Sequence, residues 1–273
     1  MKNVFLFLSP AVLLFFSACK EQPVIIPDPS LNVTGRTVLV EEVTGVRCAN
    51  CPTGTQTLVS LQQQYGKDKL VVVSIHAATG FSVPYAGGQD FRSAETLELV
   101  NYIGAPEGFP TAAVDRRLLL NEQLIFLTPH TRWGGEVAQD LQQDPSLAIA
   151  LENTFDPSSR ALNINVGILP DQMLSGEHRL TVLITQDSIV DPQLNGSTLI
   201  QNYIHRHVVR DVVSAPSGDP IAEPLEAGVL VNKTFNITLP QAWEAKHCSV
   251  VAYVHRAGAD KEVIQAAEQH VIE

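Results

Sequence analysis

The chain has 273 residues, of which 45% are hydrophobic and 17% are charged, and its formal net charge is -11. Enough apolar side chains are present to form a packed core, which argues against a generally disordered chain. The acidic balance, without any basic run, argues against nucleic acid as a partner. A chain of this length exceeds one small domain and is compatible with two.

The first residues have the pattern of an export signal. Lys2 precedes an apolar run, 4–16, and two small residues then lead to Cys19. A run this short indicates a signal peptide rather than a membrane-spanning helix. The segment 16–19, Phe-Ser-Ala-Cys, resembles a bacterial lipobox, which implies removal of residues 1–18 and lipidation of Cys19. The alternative is an ordinary signal peptide cleaved nearby, or a short anchor.

Residues 19–34 are predicted to form an extended tether, because three prolines interrupt any periodic pattern there. Lys20 follows the lipidation cysteine, in place of the aspartate that is associated with inner-membrane retention. By resemblance to that class of signals, we expect the protein at the outer membrane, with its lipid anchor at Cys19. The chain faces either the periplasm or the cell surface, and both locations stay open.

The most informative stretch has a strand, a turn, two cysteines and a helix, in that order. An apolar, β-branched run, 38–43, leads through Gly45 to Cys48 and Cys51, and helical periodicity follows to about Tyr65. Backbone N–H groups are unpaired at a helix start, and that end carries a partial positive charge, so the pKa of a thiol there is lowered. We therefore predict that Cys48, at the exposed end, attacks and that Cys51 resolves.

The C-x-x-C spacing leaves three interpretations open: thiol–disulfide exchange, an inert disulfide and a metal site. A single pair without well-spaced histidines is weak evidence for zinc, so no metal and no other cofactor is predicted. His76 is expected to be structural. His205 and His207 share one face of a predicted strand by alternation, and are expected to be structural or on the surface. Cys248 is expected to be a buried structural cysteine.

A second motif lies downstream of the two cysteines. Residues 108–111, Gly-Phe-Pro-Thr, precede a strand-like run, and together with the C-x-x-C pair they resemble the thioredoxin-like family. The resemblance implies that Pro110 is cis and packs against Cys48. It also implies that Glu42, six residues before the first cysteine, is a buried acid that moves the proton of the resolving thiol, Cys51.

Two neighbouring residues bear on that site. Because side chains alternate along a strand, one of Glu41 and Glu42 is expected to face water, and the spacing to Cys48 favours Glu42 as the inner one. Arg47 stands where the family usually has an aromatic residue. Its guanidinium favours a thiolate at Cys48, but it removes a flat apolar contact for partner proteins.

The following elements complete an α/β unit over residues 35–144. A buried strand is expected at 70–75, a helix after the N-cap Ser93, a strand at 112–115 and a closing helix at 131–143. A further strand is expected within the apolar residues between 118 and 127, with its register left open.

From residue 145 the pattern changes to short strands separated by turn residues, one of them at 203–213. This predicts an all-β, immunoglobulin-like sandwich over residues 145–273. The predicted fold class is therefore an α/β thioredoxin-like domain, 35–144, followed by that sandwich domain.

The lipobox, the C-x-x-C unit and the β-rich C-terminal part together resemble a family of outer-membrane lipoproteins of Bacteroidota. With exported or envelope proteins as the expected partners, two functions stay open. One is a lipid-anchored thiol–disulfide oxidoreductase, whose catalytic site contains Cys48, Cys51, Glu42 and Pro110. The other is a non-enzymatic binding or adhesion lipoprotein that uses the thioredoxin fold as a scaffold.

Overall fold

The structure, a computed structural model, describes residues 35–77, 80–120 and 122–272. The predicted signal peptide, the tether and Cys19 lie outside the described residues. Strands account for 40% of the structure and helices for 18%. None of the described helices is long and apolar enough to cross a membrane.

The elements before residue 145 follow the predicted order. They are β1 Val38–Val43, α1 Cys51–Tyr65, β2 Leu70–Ile75, α2 Ala94–Ile103, β3 Thr111–Val114 and α3 Trp133–Asp140. Ser93 caps α2, since its hydroxyl accepts from Thr96 N and the Thr96 hydroxyl accepts from Ser93 N. The strand expected between 118 and 127 is wrong: in the described part of that run only Leu127 makes a bridge, to Ala112, and Leu120 is 91% exposed.

Ten strands are described after residue 145. They are β4 Leu147–Phe155, β5 Ala161–Pro170, β6 His178–Gln186, β7 Ile189–Asn195, β8 Thr198–His205, β9 Val208–Val212, β10 Asp219–Pro220, β11 Val231–Thr238, β12 Cys248–Arg256 and β13 Val263–His270. The single strand predicted at 203–213 is wrong, because β8 ends at His205 and His207 has a left-handed backbone with φ +53°. The two imidazoles therefore do not share a strand face.

One eight-stranded sheet contains strands from both predicted domains. Its order is β13-β12-β6-β9-β2-β1-β3, and β10 pairs with β6. β1 and β2 are parallel, whereas β3 is antiparallel to β1. β2 meets β9 at Ser74 and Val208, and Ser74 N donates to His207 O at 2.8 Å. This pairing satisfies backbone groups of β2 that would otherwise lie at an open edge.

The predicted fold class is therefore wrong. A thioredoxin-like α/β domain followed by a separate immunoglobulin-like sandwich needs independent sheets, but a mixed sheet runs through both parts in a structure that is mostly β. One buried cluster contains Leu39 and Val73 from the first part and Leu183 and Val251 from the second. The apolar run of β2 predicts burial on both faces, yet it does not identify the neighbouring strand. The chain divisions at 18, 34 and 144 stay predictions.

Two further layers cover this sheet. β11, β5 and β4 form a three-stranded antiparallel sheet, and Ile164 of β5 belongs to one buried cluster with Val182 of β6 and Val250 of β12. On the part of the large sheet formed by β1 and β2, Leu58 of α1 and Trp133 of α3 pack in another cluster. β7 and β8 pair with each other and form a hairpin, residues 189–205.

Candidate functional site

The dithiol turn, residues 45–51, connects β1 to α1. Cys48 and Cys51 are joined by a disulfide with a Cα–Cα distance of 5.4 Å, and Cys51 is the first residue of α1. Cys48 N donates to Gly45 O at 3.0 Å and thereby closes the turn. Gly45 lies so close to the backbone carbonyl of Phe81 that a Cβ atom would not fit. Only glycine is compatible with this close approach.

Both cysteines are buried, since Cys48 is 2% exposed and Cys51 is 1% exposed. The prediction that Cys48 lies at an exposed end is therefore wrong. The β7–β8 hairpin lies over the turn, and the side-chain amide of Gln193 donates to Cys48 O at 3.2 Å. Burial thus comes from a segment nearly 150 residues away in the chain, which the local pattern around the cysteines does not reveal.

Backbone hydrogen bonds also join the hairpin to the dithiol turn. Leu194 N donates to Val46 O at 2.9 Å, and Gly196 N donates to Ala49 O at 2.8 Å. At the base of the hairpin, Ile189 packs in a buried apolar cluster that includes Val46. The hairpin is therefore fixed at its base by apolar contacts and at its tip by hydrogen bonds to carbonyl groups of the turn.

Glu42 lies fully buried on β1, below α1. Its carboxylate accepts from Ser74 Oγ at 3.0 Å and from Thr55 Oγ1 at 3.1 and 3.2 Å. Burial raises the pKa of Glu42 to about 7, while the hydrogen bonds from Ser74 and Thr55 act to lower it. Cys51 and Thr55 are four residues apart on α1, so they lie on the same helix face. The Glu42 carboxyl therefore contacts α1 one helical turn after Cys51.

Glu41, next to Glu42, is buried as well, so the expectation that one of the two faces water is wrong. Arg116 donates to Glu41 from Nε at 2.6 Å and from Nη2 at 2.7 Å, and the Tyr253 hydroxyl donates at 3.0 Å. Both side chains of the ion pair are 0% exposed. The large sheet is covered on both faces at β1. Tyr253 of β12 lies on the face that the sequence predicted to be in contact with water.

Pro110 follows a cis peptide bond from Phe109. It packs against α1 at Gly54, where an added Cβ atom would lie 2.9 Å from Pro110 Cβ and 3.1 Å from Glu42 Oε1. Gly54 therefore lets Pro110 and Glu42 approach the helix together. Sequence reasoning missed Gly54. A glycine inside a helix lowers the stability of the helix, so its presence there indicates a close contact with a neighbouring element. The predicted contact of Pro110 with Cys48 stays a prediction.

A groove of about 510 Å³ opens beside the dithiol turn, and its lining includes Arg47, Phe81 and Phe109. Phe81 is 49% exposed, and its ring centroid lies 5.2 Å from that of Phe109. Arg47 does not extend freely into solvent, because it lies 4.3 Å above the Tyr85 ring and donates to Val83 O at 2.7 Å. Phe81 and Phe109, which sequence reasoning missed, therefore form an apolar wall of this groove.

Two buried histidines lie near the base of the hairpin. His76 is 2% exposed and His205 is 4% exposed, and the Phe91 ring lies 4.9 Å from the first and 5.1 Å from the second. Burial lowers the pKa of His76 to about 3 and that of His205 to about 4, so both are neutral at neutral pH. His207 instead lies 3.5 Å from Asp187. Among residues 35–77, 80–120 and 122–272, no group of three or more His, Cys, Asp or Glu side chains could hold a metal ion.

Cys248 is the first residue of β12 and takes no part in the disulfide. It is 0% exposed, so the prediction of a buried cysteine is confirmed. Burial raises the pKa of its thiol to about 11, which keeps it protonated and poorly nucleophilic at neutral pH.

Comparison with solved structures identifies relatives in fold. HBP35 of Porphyromonas gingivalis is similar over 87% of this chain and 76% of that chain, with a TM-score of 0.71 and 16% identity. A protein from Agrobacterium tumefaciens is similar over 88% and 96%, with a TM-score of 0.52 and 15% identity. A domain of the outer membrane lipoprotein Omp28 from Porphyromonas gingivalis covers 47% of this chain and 89% of that chain, at 13% identity and a TM-score of 0.33. At these identities, the first two likenesses concern the fold alone, and the third is too weak to support an argument.

The sequence comparison is more specific. No curated protein matches the chain. The family model described as outer membrane protein Omp28 matches residues 98–273, which is more than half of the chain. The matched range begins after the dithiol turn, so the match carries no information on Cys48 or Cys51. The chain belongs to the Omp28 family of outer membrane proteins.

Proposed function

We propose that this outer-membrane protein carries out thiol–disulfide exchange on exported proteins at Cys48 and Cys51. The observation that carries the proposal is Glu42, a fully buried carboxyl with a pKa of about 7 that accepts from Thr55, the residue one helical turn after Cys51 on α1. Its hydrogen-bond partners are the hydroxyl groups of Ser74 and Thr55, and no ion pair with it is present among the described residues. A group that can hold or release a proton near neutral pH suits a general acid–base role.

The reducing direction of the exchange requires that a dithiol reductant first reduces the Cys48–Cys51 disulfide and is itself oxidised to a disulfide. The exchange then begins with the Cys48 thiolate. It attacks one sulfur of a substrate disulfide, the substrate S–S bond breaks, and the other substrate sulfur leaves as a thiolate that takes up a proton. Cys51 then transfers its proton to the Glu42 carboxylate and attacks Cys48 Sγ. The bond between Cys48 and the substrate breaks, and the released thiolate is protonated. Two electrons have passed to the substrate, and the Cys48–Cys51 disulfide remains; the reverse sequence oxidises a substrate dithiol.

The groove beside the turn supports a protein as the substrate. Phe81 and Phe109 offer exposed ring surface that suits an extended apolar segment carrying a cysteine. Phe109 leads directly into Pro110, to which we assign the role of shaping the wall of this groove. The partners are accordingly exported or envelope proteins, and no cofactor takes part in the exchange.

An insulin-reduction assay with the full chain tests the exchange. The wild type is expected to accelerate insulin reduction, and Cys48→Ser is expected to abolish the acceleration because the attacking sulfur is gone. Cys51→Ser is expected to accumulate the mixed disulfide. Cys248→Ser is the matched control, since Cys248 is a buried thiol outside the disulfide. Equal activity of the wild type and Cys48→Ser would contradict the proposal.

We infer further that a lipid on Cys19 holds the protein at the outer membrane, facing the periplasm or the cell surface. Membership of an outer-membrane protein family supports the location at the outer membrane, and the lipobox-like segment 16–19 supports lipidation of Cys19. Cys19→Ala is expected to move the protein from the membrane fraction to the soluble fraction and to remove the lipid mass. Retention of Cys19→Ala in the membrane fraction would contradict the anchor.

A non-enzymatic binding or adhesion role is the second candidate, and the burial of both cysteines favours it. In that case the disulfide ties β1 to α1, and envelope components bind elsewhere on the protein. A pull-down with a variant in which Cys48 and Cys51 are both serine separates the two candidates. Partners that persist in the double variant support binding, and partners that are lost oppose it.

A further inference from the structure

The β7–β8 hairpin has one face on the dithiol turn and the other in solvent. Val190 and Ile204 are 55% and 49% exposed, whereas Gln193, against the turn, is 3% exposed. Within the part of the chain that the structure describes, β7 and β8 pair only with each other. The hairpin therefore keeps its own strand pairing if it moves away from the turn.

Gln193 is central to the contact between the hairpin and the turn. Its Nε2 donates to Gly45 O and Cys48 O, both at 3.2 Å, and to Leu194 O at 2.9 Å. The two backbone hydrogen bonds at the hairpin tip add to this contact. Each such hydrogen bond contributes little net stability, so the tip can separate from the turn without unfolding the large sheet.

Both ends of the hairpin have a left-handed backbone. Ser188, directly before β7, has φ +61°, and His207, two residues after the end of β8, has φ +53°. Residues other than glycine adopt this conformation rarely and at some cost. Hinges are formed by a few residues at element ends that absorb a change in backbone angles. Ser188 and His207 therefore mark the two ends of the hairpin, and the His207 carbonyl anchors one end through its hydrogen bond from Ser74 N in the large sheet.

We propose that the β7–β8 hairpin is a lid over the Cys48–Cys51 disulfide, and that Gln193 is the positioning residue that holds this lid closed. The lid regulates the site to which exchange is assigned, so its purpose rests on the proposed function. A protein thiol or disulfide reaches Cys48 when the lid is open. In the closed position, the buried sulfurs are protected from other thiols.

The rate at which dithiothreitol reduces the disulfide in the full chain tests the lid. A dithiothreitol thiolate attacks Cys48 Sγ, and Cys51 leaves as a thiolate that is protonated. The second dithiothreitol thiol then displaces Cys48 by forming its own cyclic disulfide, so that two electrons pass to the protein. Alkylation and mass measurement follow the two new thiols over time.

Gln193→Ala is expected to be reduced about tenfold faster than the wild type, because hydrogen bonds that close the lid are lost. Gln201→Ala is the matched control, since Gln201 is the same residue type on the same hairpin but is exposed. It is expected to be reduced at the wild-type rate. Equal rates for Gln193→Ala and the wild type would overturn the proposal.

Hydrogen exchange in the oxidised wild type tests the lid without any substitution. The amides of Leu194 and Gly196 are expected to exchange through a local opening, well before central amides such as that of Val72 in β2. Exchange of these two amides only through global unfolding would overturn the lid, whether or not Gln193→Ala folds.

The lid and the exchange activity fail in different ways. If Cys48→Ser is as active on insulin as the wild type, the exchange proposal fails, but the effect of Gln193→Ala on the rate of reduction is unaffected. If the wild type is active and Gln193→Ala is reduced no faster, the lid fails and the exchange activity stands.

Discussion

Glu41 and Glu42 are neighbours on β1 and are equally buried, yet their surroundings differ. Glu41 faces Arg116, which donates two hydrogen bonds to it, and Tyr253 completes the pairing. Glu42, on the opposite face of the strand, accepts from the hydroxyl groups of Ser74 and Thr55 and has no ion-pair partner among the described residues. Burial raises the pKa of Glu42 to about 7, although the hydrogen bonds from Ser74 and Thr55 act to lower it.

The difference shows that burial of an acid does not by itself indicate chemistry. A buried carboxylate that is paired with a guanidinium ties together distant parts of a fold. A buried carboxyl with only neutral donors can exchange its proton near neutral pH, which suits catalysis. On this strand, Glu41 is the paired acid and joins β1 to β12. Glu42 is the acid with neutral donors, and it contacts the helix that follows the dithiol turn.

The largest effect is expected when the same substitution is made at the two positions. Glu41→Gln leaves the Arg116 charge buried without a counter-ion, so the free energy of unfolding should fall by about 3–5 kcal/mol. Glu42→Gln is the matched control, and no such loss is expected because it strands no charge. Urea denaturation at about pH 8 measures both, and similar losses for the two variants would break the comparison.

The second-largest effect is expected in the pH dependence of the free energy of unfolding, and it comes from Glu42. Its pKa rises from 4.5 in the unfolded chain to about 7 in the folded protein, so the folded state retains a proton that the unfolded state loses in that window. Stability from this group is therefore present below about pH 4.5 and is lost as the pH rises through 7, by roughly 3 kcal/mol in total. Glu42→Gln should remove this component. A difference in unfolding free energy between wild type and variant that stays constant from pH 5 to 8 would contradict it.

Crowding Glu42 should have an intermediate effect. Gly54→Ala places a Cβ atom 2.9 Å from Pro110 Cβ and 3.1 Å from Glu42 Oε1, so a loss of about 1–3 kcal/mol in the free energy of unfolding is expected. Gly135→Ala in α3 is the control, because nothing lies within 4 Å of its added Cβ. A gain of up to about 1 kcal/mol is expected there. Thermal or urea unfolding measures both variants. Stabilisation of both would contradict the close approach at Gly54.

Removing one hydroxyl beside Glu42 should have the smallest effect on stability. Thr55→Val loses the hydrogen bond to the carboxylate, which should cost about 1 kcal/mol and raise the pKa of Glu42 further. Thr57→Val is the control, because its hydroxyl bonds to Thr53 O and His130 Nδ1 and not to Glu42, so it also loses hydrogen bonds but should leave the pKa of Glu42 unchanged. Carbon-13 NMR titration of the Glu42 carboxyl, assigned with Glu42→Gln, measures the pKa. An unchanged midpoint in Thr55→Val would show that this hydroxyl does not stabilise the ionised form.

The elements with strong local patterns were predictable from the sequence. β2 is an apolar run interrupted only by Ser74, and α2 has Ser93 as its N-cap with the capping partner Thr96 three residues later. The fold class was not predictable in the same way. The pairing of β2 with β9 joins residues that are far apart in the chain, and no local pattern distinguishes that neighbour from another.

The hairpin over the site could have been found from its turn. Gly196 and Ser197 lie between the paired residues Asn195 and Thr198, and glycine followed by serine is a typical two-residue hairpin turn. Gly196 has φ +57°, the backbone conformation that such a turn requires. The position of the hairpin on the dithiol turn, and the role of Gln193 in it, depend on tertiary packing that the sequence does not display.

The candidate site was predictable in its residues but not in its setting. Cys48 and Cys51 follow from the C-x-x-C motif, and Glu42 follows from the resemblance to the thioredoxin-like family. The structure brings β1, the turn and α1 together. The burial of Cys48 depends on the hairpin, and the burial of Glu41 depends on Arg116 and Tyr253. Each of these contacts spans a large part of the chain.

The reduction potential of the Cys48–Cys51 disulfide in the full chain tests the exchange function most directly. Equilibration with dithiothreitol redox buffers, followed by alkylation of free thiols, gives this potential. An exchange site predicts a value above about -270 mV, the range of known thiol–disulfide oxidoreductases, whereas a value below about -300 mV is typical of structural disulfides and would contradict that function.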